Sequence, residues 1–442
     1  MREREWNRLK RDDERVRQFF LHQNTPALDP RPMSPDHILD LVQKGELFGM
    51  LRVDIKTPDH LNEKFSEMCP IFKNVEISQD DIGPYMKQYG EEHGFMKQPR
   101  RSLISSYFGE NSLLITPLLQ YYLQLGLEVT KVYEVVQFTP MTCFKGFVDR
   151  VIQARREADL DPQKAVIAEC FKTIGNSSYG KTITNQSKFK RIQICTEAEA
   201  CQEVNNPHFI NLSQLGDDVY EVKLSKQNIS FSLPLHIGFF VYGYARLFML
   251  KFYFDFLDHF FSRQDFCLIE TDTDSFYLDF SAKNLEDIVK PELKEEFRQN
   301  VYHWLSAPTC PAHRHLHDGG DGRTCCQQFY LYDKKTPGKF KLEFEGDKMI
   351  ALCSKSYIVS SKETGQNKLS SKGLPHKQNN LLFQKYLDIL LSKKSQRGQN
   401  IGFRLNPNHQ LCTYQQTKRG LVFFYPKRKV LADGISTVPL DL

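Results

Sequence analysis

Apolar and polar positions alternate most sharply between Cys267 and Phe280, where Phe276, Leu278 and Phe280 are interleaved with Tyr277 and Asp279. Period two is the mark of a half-buried strand, and Cys267, Leu268 and Ile269 read as a short buried strand ahead of it. Asp272-Thr273-Asp274-Ser275 then falls at a hairpin tip, since Asp and Ser accept turn conformations and bond their own backbone. Further upstream, Ser34 caps a predicted helix with Pro35 in its first position, running through Ile38, Leu39 and Leu41 to Gly45. Strands are expected at 51–55 and 75–77, with a short helix and a connection between them. A hairpin is expected from 103–108 and 112–115 about Gly109-Glu110-Asn111, then a helix over 116–125 closed by Gly126 and a β-rich run over 127–138.

Helical spacing returns after Pro140, through Phe144, Phe147, Val148, Val151 and Ile152, and again after Asp161-Pro162, through Ala165, Ile167, Ala168 and Phe171 toward Asn176. Two antiparallel helices joined by a tight polar turn are predicted. Residues 186–232 mix polar positions with short β-like runs and read as a small insertion. An aromatic helix over 236–261 precedes the hairpin, and a helix over 286–304 comes after it. An irregular loop is expected at 306–326, strands at 328–331, 338–344 and 350–359, and a helix at 379–395. Residues 1–24, with Trp6, Leu9, Val16 and Phe19 as sparse anchors, suggest one charged helix without chemistry.

With 442 residues, 40% hydrophobic and 26% charged, the chain is globular and long enough for several cores. The charged opening argues against a secretory signal, which makes the nucleus or cytoplasm the expected compartment and reduced thiols the expected state of the eleven cysteines. Arg246, Lys251, Asp255 and Asp258 make a membrane span costly for the aromatic stretch. The net charge of +5 is unevenly placed. Residues 381–442 hold ten Lys or Arg against three Asp and no Glu, +7, so the rest sums to −2. A basic C-terminal segment of this kind suits a phosphate backbone.

A second cluster stands in Lys172-Thr173-Ile174-Gly175-Asn176-Ser177-Ser178-Tyr179-Gly180, read as the end of the second helix. Lys172, Asn176 and Tyr179 at i, i+4 and i+7 share one helix face, bringing a cation, an amide and an aromatic plane together. Such a trio suits a nucleotide: the ammonium for phosphates, the amide and ring for the base pair. The plainer alternative is a helix end that Asn, Ser and Gly merely terminate.

KxxxNSxYG followed about ninety residues later by DTDS resembles motifs B and C of the family B DNA polymerases. Ala245-Arg246 resembles the end of the motif lying between them, and Lys355-Ser356-Tyr357 resembles the KxY motif. The run GKFKLEFEGDKMIALCSKSYIV, with SSKGL after it, is similar to the protein-primed subgroup, and VDIKTPDHLNEKFSEMCPIFKNVEI is similar to the polymerases of Maverick, or Polinton, transposons. The resemblance covers about residues 45–430 and implies an α+β right-hand fold that is N-terminally truncated. Its parts would be a charged helix and linker (1–50), a segment before the fingers (51–126), a palm strand with the fingers hairpin (127–185), a strand-displacement-like insertion (186–232), the palm with motif C and KxY (233–372) and a mostly helical basic thumb (373–442).

By that resemblance Asp274 is a catalytic ligand of two Mg²⁺ ions with Asp272 beside it. Lys172, Asn176, Tyr179 and Gly180 bind the incoming nucleotide, and Arg246, Lys355 and Tyr357 bind DNA. The implied partners are primer-template DNA, deoxynucleoside triphosphates and a terminal protein primer, and no membrane. The family also requires a carboxylate from motif A, DxxSLYP-like, and no such stretch lies between Met1 and Phe138. Asp54, in LRVDIKTP, is similar to the stretch just downstream of motif A in the transposon polymerases and not to motif A itself. Half of the two-ion site and the exonuclease motifs are therefore expected to be missing, and a DNA-binding remnant without catalysis is the alternative reading.

Two further readings are weaker. A DxD pair also serves glycosyltransferases, which have no use for Lys172–Gly180 or a basic C-terminus. Cys310, His313, His315, His317, Cys325 and Cys326 crowd one glycine-rich loop, but adjacent cysteines and the lack of a CxxC pair argue against zinc. Arg150, Arg155 and Arg156 are candidates for a phosphate contact or for a solvated helix end.

Overall fold

A computed structural model describes residues 33–442 apart from 97, 143, 160, 230–231, 314–323, 372 and 407–409. The charged helix expected over 1–24 lies outside the described residues. The described chain mixes helices and strands in the manner of an α+β protein and divides into two units. No helix among the described residues is long and apolar enough to cross a membrane.

The first unit contains Met1–Lys73, Ser105–Cys143 and Asp441. Helix α1 (Pro35–Lys44) begins where Ser34 accepts from the His37 amide and ends at Gly45 in the left-handed region, φ 73°. Strand β1 (Gly49–Lys56) buries Leu51, Val53 and Ile55 on alternate positions. Next along the chain come strand β2 (Ile71–Ile77), helix α2 (Pro84–His93) and β3 (Arg100–Ser106), of which Asn74–Ile104 belongs to the second unit, and then β4 (Phe108–Ile115), helix α3 (Thr116–Gln124) and β5 (Glu128–Gln137) of the first. Strand β1 is the centre of a sheet in the order β4-β1-β5, whereas β3 pairs with β2. The hairpin expected about Gly109-Glu110-Asn111 is therefore wrong. Those residues lie inside β4 at a bulge: the register jumps from Val53↔Ser112 to Ile55↔Gly109, Asn111 has φ 48°, and its amide donates to Asp54 Oδ1 (2.7 Å). Asn111 serves the bulge with the left-handed conformation that a turn would also require.

The second unit contains Asn74–Ile104, Phe144–Leu440 and Leu442. Helices α4 (Lys145–Asp159) and α5 (Ala165–Thr182) form the expected hairpin, with Asp161 Oδ1 accepting from the Gln163 amide in the turn. Strands β6 (Lys190–Cys195), β7 (Phe209–Gly216) and β8 (Val219–Ser225) form a three-stranded sheet in the order β6-β8-β7, and helix α6 (Glu197–Val204) packs its Ala200 against Val222 and Leu224. Helix α7 (Leu235–Lys251) continues as a π-helical turn, Phe252–Leu257.

That turn is the aromatic centre of the unit. Phe252 meets Phe256, Phe276, Trp304 and Phe340 with ring centroids 4.1 to 6.0 Å apart, and Tyr253, Phe256 and Phe260 are fully buried nearby. Strands β9 (Phe266–Asp272) and β10 (Ser275–Phe280) pair antiparallel, and helix α8 (Lys294–Trp304) supplies Phe297 and Trp304 to the aromatic cluster. Cys267 and Ile269, read as buried, are exposed, and Leu268 is half-buried: exposure alternates along β9, with Phe266 alone fully buried.

Two further strand expectations fail. Residues 328–331 lie in helix α9 (Thr324–Asp333), because Cys326 and Asp333, two turns apart, are both buried and only a helix presents them together. Over 338–344 the described backbone forms one parallel bridge, Leu305↔Phe340, in place of a strand. The irregular loop expected at 306–326 is ordered at both ends, by a helical turn at Pro311–His313 and by the start of α9.

Asp333 anchors this region, accepting from the Ala307 amide (2.9 Å) and from Lys339 Nζ at 2.9 Å to each carboxylate oxygen. Burial pushes its carboxyl up, but the Ala307 amide and the Lys339 ammonium outweigh that and hold it below its ordinary value of 3.8. A group depressed in this way stabilises the fold above the unfolded value and loses its effect as pH falls through the folded one. Asp333→Asn is therefore expected to cost about 1–3 kcal/mol at pH 7 by leaving Lys339 without its counter-charge. Urea unfolding should show the gap between wild type and variant narrowing below pH 3.8.

Strands β11 (Lys348–Cys353), β12 (Ser356–Ser360) and β13 (Asn367–Ser370) pair in sequence, and helix α10 (Phe383–Ser392) covers them with the buried Tyr386 and Ile389. Ile77, Met86 and Tyr89 enter the same core. Residues 396–421, expected to belong to a mostly helical thumb, form a two-stranded ribbon, β14 (Gln396–Leu405) and β15 (Leu411–Leu421). Half-buried and exposed positions alternate over 396–403 and 411–415, a β pattern that the basic, polar composition masks in the sequence.

Candidate functional site

The DTDS hairpin forms as expected. Asp272 pairs with Ser275 across a two-residue loop in which Thr273 takes φ 49°, and Asp272 O accepts from the Asp274 amide (2.5 Å) and from Ser275 Oγ (3.1 Å). A left-handed β-branched residue is rare, and Thr273 Oγ1 meets part of that cost by donating to Asp272 Oδ1 (3.2 Å). The loop leaves Asp274 exposed at the tip, where no hydrogen bond or ion pair holds its carboxylate among the described residues. Asp272 differs: Lys355 Nζ lies 3.3 Å from its Oδ2.

Lys355 reaches Asp272 because a second tight turn meets the first. Strands β11 and β12 join through Ser354-Lys355, with Lys355 at φ 61°, and the Lys355 amide donates to Glu270 Oε1 on β9 (2.8 Å). One strand later, the Tyr357 and Tyr277 hydroxyls form a short hydrogen bond, with ring centroids 4.6 Å apart. Burial first, then the Tyr277 hydroxyl and the nearby Glu270 and Asp272 carboxylates, push the Tyr357 phenol well above its ordinary value. It therefore stays neutral through the working range, accepting from the Tyr277 hydroxyl. Glu270 and Tyr277 do not stand out in the sequence. Their positions on β9 and β10, next to an acidic tip, are the available signal.

Lys172, Asn176 and Tyr179 lie on α5, but not at its end. The helix runs on to Thr182, so Asn176, Ser177 and Gly180 do not terminate it. Lys172 is exposed and shares an ion pair with Glu169 one turn earlier (3.2 Å), which leaves its ammonium free to exchange partners at little cost. Asn176 is exposed, Gly180 is half-buried with open space at its Cα, and Tyr179 stands edge-on to Tyr242 of α7 at 6.0 Å.

Two glycines set this placement. A Cβ on Gly175 would come 3.3 Å from Val151 of α4, and one on Gly238 would come 2.2 Å from Ile183, so α5 packs closely on both neighbours. Helix α7 thus carries Tyr179 at Tyr242, and its π-helical continuation carries the DTDS hairpin through Phe252 and Phe276. The two anchor points are ten residues apart, about 15 Å along a helix axis. Arg246 lies between them, half-buried. Of the arginines on α4, Arg156 is engaged within the protein: its guanidinium stacks 3.6 Å over Tyr332 and donates to Thr336 Oγ1.

Asp274 is available, Asp272 is partnered by Lys355, and Glu270 accepts from the Lys355 amide. Among the described residues no cluster of three or more acidic, His or Cys ligands includes Asp272 or Asp274. Asp54 is held in the first unit by the Asn111 amide and the Tyr133 hydroxyl (2.9 Å). One free carboxylate would bind a hard divalent ion weakly.

No curated protein and no solved structure matches the sequence. Residues 19–227, which include α4, α5 and the Lys172–Gly180 cluster but stop before the DTDS hairpin, match the family model described as DNA polymerase type B, organellar and viral, and so point to type B DNA polymerisation.

Proposed function

We propose that the chain is the fingers, palm and thumb portion of a template-directed DNA polymerase, of the protein-primed kind related to Maverick transposon enzymes. The observation that carries this reading is the attachment of two separate motifs to one helix, with the Lys172 face at Tyr242 and the Asp274 tip at Phe252. In this reading Lys172 takes the triphosphate, Asn176 and Tyr179 test the nascent base pair, and Gly180 lets the substrate approach. Asp272 and Asp274 face the reacting end, and Arg246, Lys355 and Tyr357 hold the primer strand. The Tyr277 hydroxyl and the Glu270 carboxylate fix Tyr357 and the Lys355 turn in place. The DNA partner is a primer-template, with a terminal protein as the alternative primer, and Mg²⁺ is the ion of the complete site. Holding DNA without catalysis is the second reading, favoured by the single unengaged carboxylate.

The test is ternary-complex formation on a dideoxy-terminated primer-template. The next complementary nucleotide with Mg²⁺ is expected to slow dissociation of the DNA, and a mismatched nucleotide is not. Lys172→Ala should remove the effect while leaving binary binding within about twofold, because one exposed phosphate contact contributes little to DNA affinity. A response equal for all four nucleotides, or one that Lys172→Ala does not alter, would overturn the assignment.

A further inference from the structure

Away from these motifs, four soft ligands converge. Cys310, His313, Cys325 and Cys326 place three sulfurs and an imidazole nitrogen within 4.8 Å of one another. The Cys310 and Cys326 sulfurs are 3.8 Å apart, and His313 Nδ1 lies 3.1, 3.6 and 3.7 Å from the sulfurs of Cys310, Cys325 and Cys326. A tetrahedron with Zn–S bonds of about 2.3 Å and a Zn–N bond of about 2.0 Å has S–S edges of about 3.8 Å and S–N edges of about 3.5 Å. The 3.8 Å S–S edge and the 3.6 and 3.7 Å S–N edges match that figure and the 3.1 Å edge is about 0.4 Å shorter, while a disulfide would need about 2.05 Å between sulfurs. His315 and His317 lie outside the described residues.

The local backbone is arranged for the same purpose. Cys310 begins the turn Pro311–His313, which is closed by the His313 amide donating to the Cys310 carbonyl (2.9 Å), so the two side chains leave the same tight turn. Adjacent Cys325 and Cys326 open helix α9, where one is exposed and the other buried, so the pair reaches one point from two sides. The sequence argument against zinc assumes ligands from two-residue knuckles. Here one turn and one helix start supply them.

We infer that Cys310, His313, Cys325 and Cys326 form a structural Zn²⁺ site of the three-cysteine, one-histidine type. The ion displaces three thiol protons and takes neutral His313 through Nδ1, with no change of oxidation state. It closes the tetrahedron and leaves no open position for a substrate. Its effect is to fix the start of α9, the helix that ends in Tyr332 against Arg156 of α4 and in the buried Asp333.

The experiment uses the full chain purified under reductant and loaded with Zn²⁺ or Co²⁺ alone, so it reads metal and not polymerisation. One zinc per chain is expected by mass spectrometry of the metal, and the Co²⁺ form should show thiolate charge-transfer absorption with strong tetrahedral d–d bands. Cys326→Ser should lower zinc affinity at least about tenfold, and the exposed Cys201→Ser control should not. Cys325→His should keep one zinc per chain while lowering the charge-transfer intensity by about a third, since two thiolates then remain of three. Sub-stoichiometric zinc in the wild type, an unchanged cobalt spectrum in Cys325→His, or a disulfide among Cys310, Cys325 and Cys326 in the reductant-purified chain would overturn the site.

Discussion

Titrated against primer-template DNA, the chain is expected to bind with an affinity that falls about 40- to 150-fold between 50 and 200 mM salt, and to extend the primer at no more than a trace rate. The binding half rests on the basic C-terminal part and the Lys355 turn. Arg397 and Arg419 stand opposite each other across the ribbon, both exposed, with Lys418 next in register. Like charges directly opposed are unfavourable in the free protein and are relieved by an anion between them. Not every basic residue is available: Arg428 donates to Thr437, and Arg419 also stacks over Phe95 at 4.6 Å. Three or four phosphates neutralised give a log–log slope of about −3, which sets the size of that fall. The weak extension comes from the carboxylates. With no third ligand gathered beside Asp272 and Asp274 among the described residues, the several kcal/mol of transition-state charge stabilisation that fixed ions provide is expected to be lost, which is roughly 10³-fold or more in rate. Robust extension abolished by Asp274→Ala would reveal a ligand not identified among these residues, and salt-independent binding would remove the phosphate contacts from the reading.

Phe252→Ala is expected to destabilise the second unit by about 3–5 kcal/mol, the range for emptying a buried aromatic site. Phe252 is 4% exposed and touches four rings, three of them from later segments, so no neighbour is free to fill the space. One of those rings, Phe276, lies two residues after Asp274, and the hairpin tip should loosen with the core. Urea unfolding gives the stability, and amide exchange at Asp274 and Ser275 reports the tip. Phe403→Ala is the control: Phe403 is 74% exposed, so its loss should cost no more than about 0.5 kcal/mol. An equal loss for both variants would mean that the π-helical cluster is not the centre it is taken to be.

What can be read from the sequence is whatever a local rule determines. The cap at Ser34-Pro35, the hairpin about Thr273-Asp274 and the shared face of Lys172, Asn176 and Tyr179 each depend on residues within two helical turns or one tight loop. Where the outcome depends on distant partners, the local signal misleads. Gly109-Glu110-Asn111 becomes a bulge because β1 pairs with β4, and the aromatic run before Asp333 becomes a helix because Asp333 must reach Ala307 and Lys339. The residues of the proposed zinc site do stand together in the sequence, but without a CxxC pair nothing local shows that one turn and one helix start bring them to a single point. The partnering of Asp272 by Lys355 joins positions 83 residues apart, and only the fold brings them together.

The ribbon has a consequence for the protein's own solubility. Strands β14 and β15 form a sheet of two, so among the described residues both outer edges lack a neighbouring strand. Ile401, Phe403, Leu405 and Leu411 crowd the exposed outer end of one face. An open edge beside an apolar face invites pairing with a second copy, and the opposed Arg397 and Arg419 at the base of that face repel an approaching twin. Salt shortens the range of that repulsion to about 10 Å at 0.1 M and less above it. On the proposed DNA-binding reading, the ionic strength that releases DNA would also remove the guard against self-association, and nucleic acid at low salt would act as the ribbon's solubilising partner.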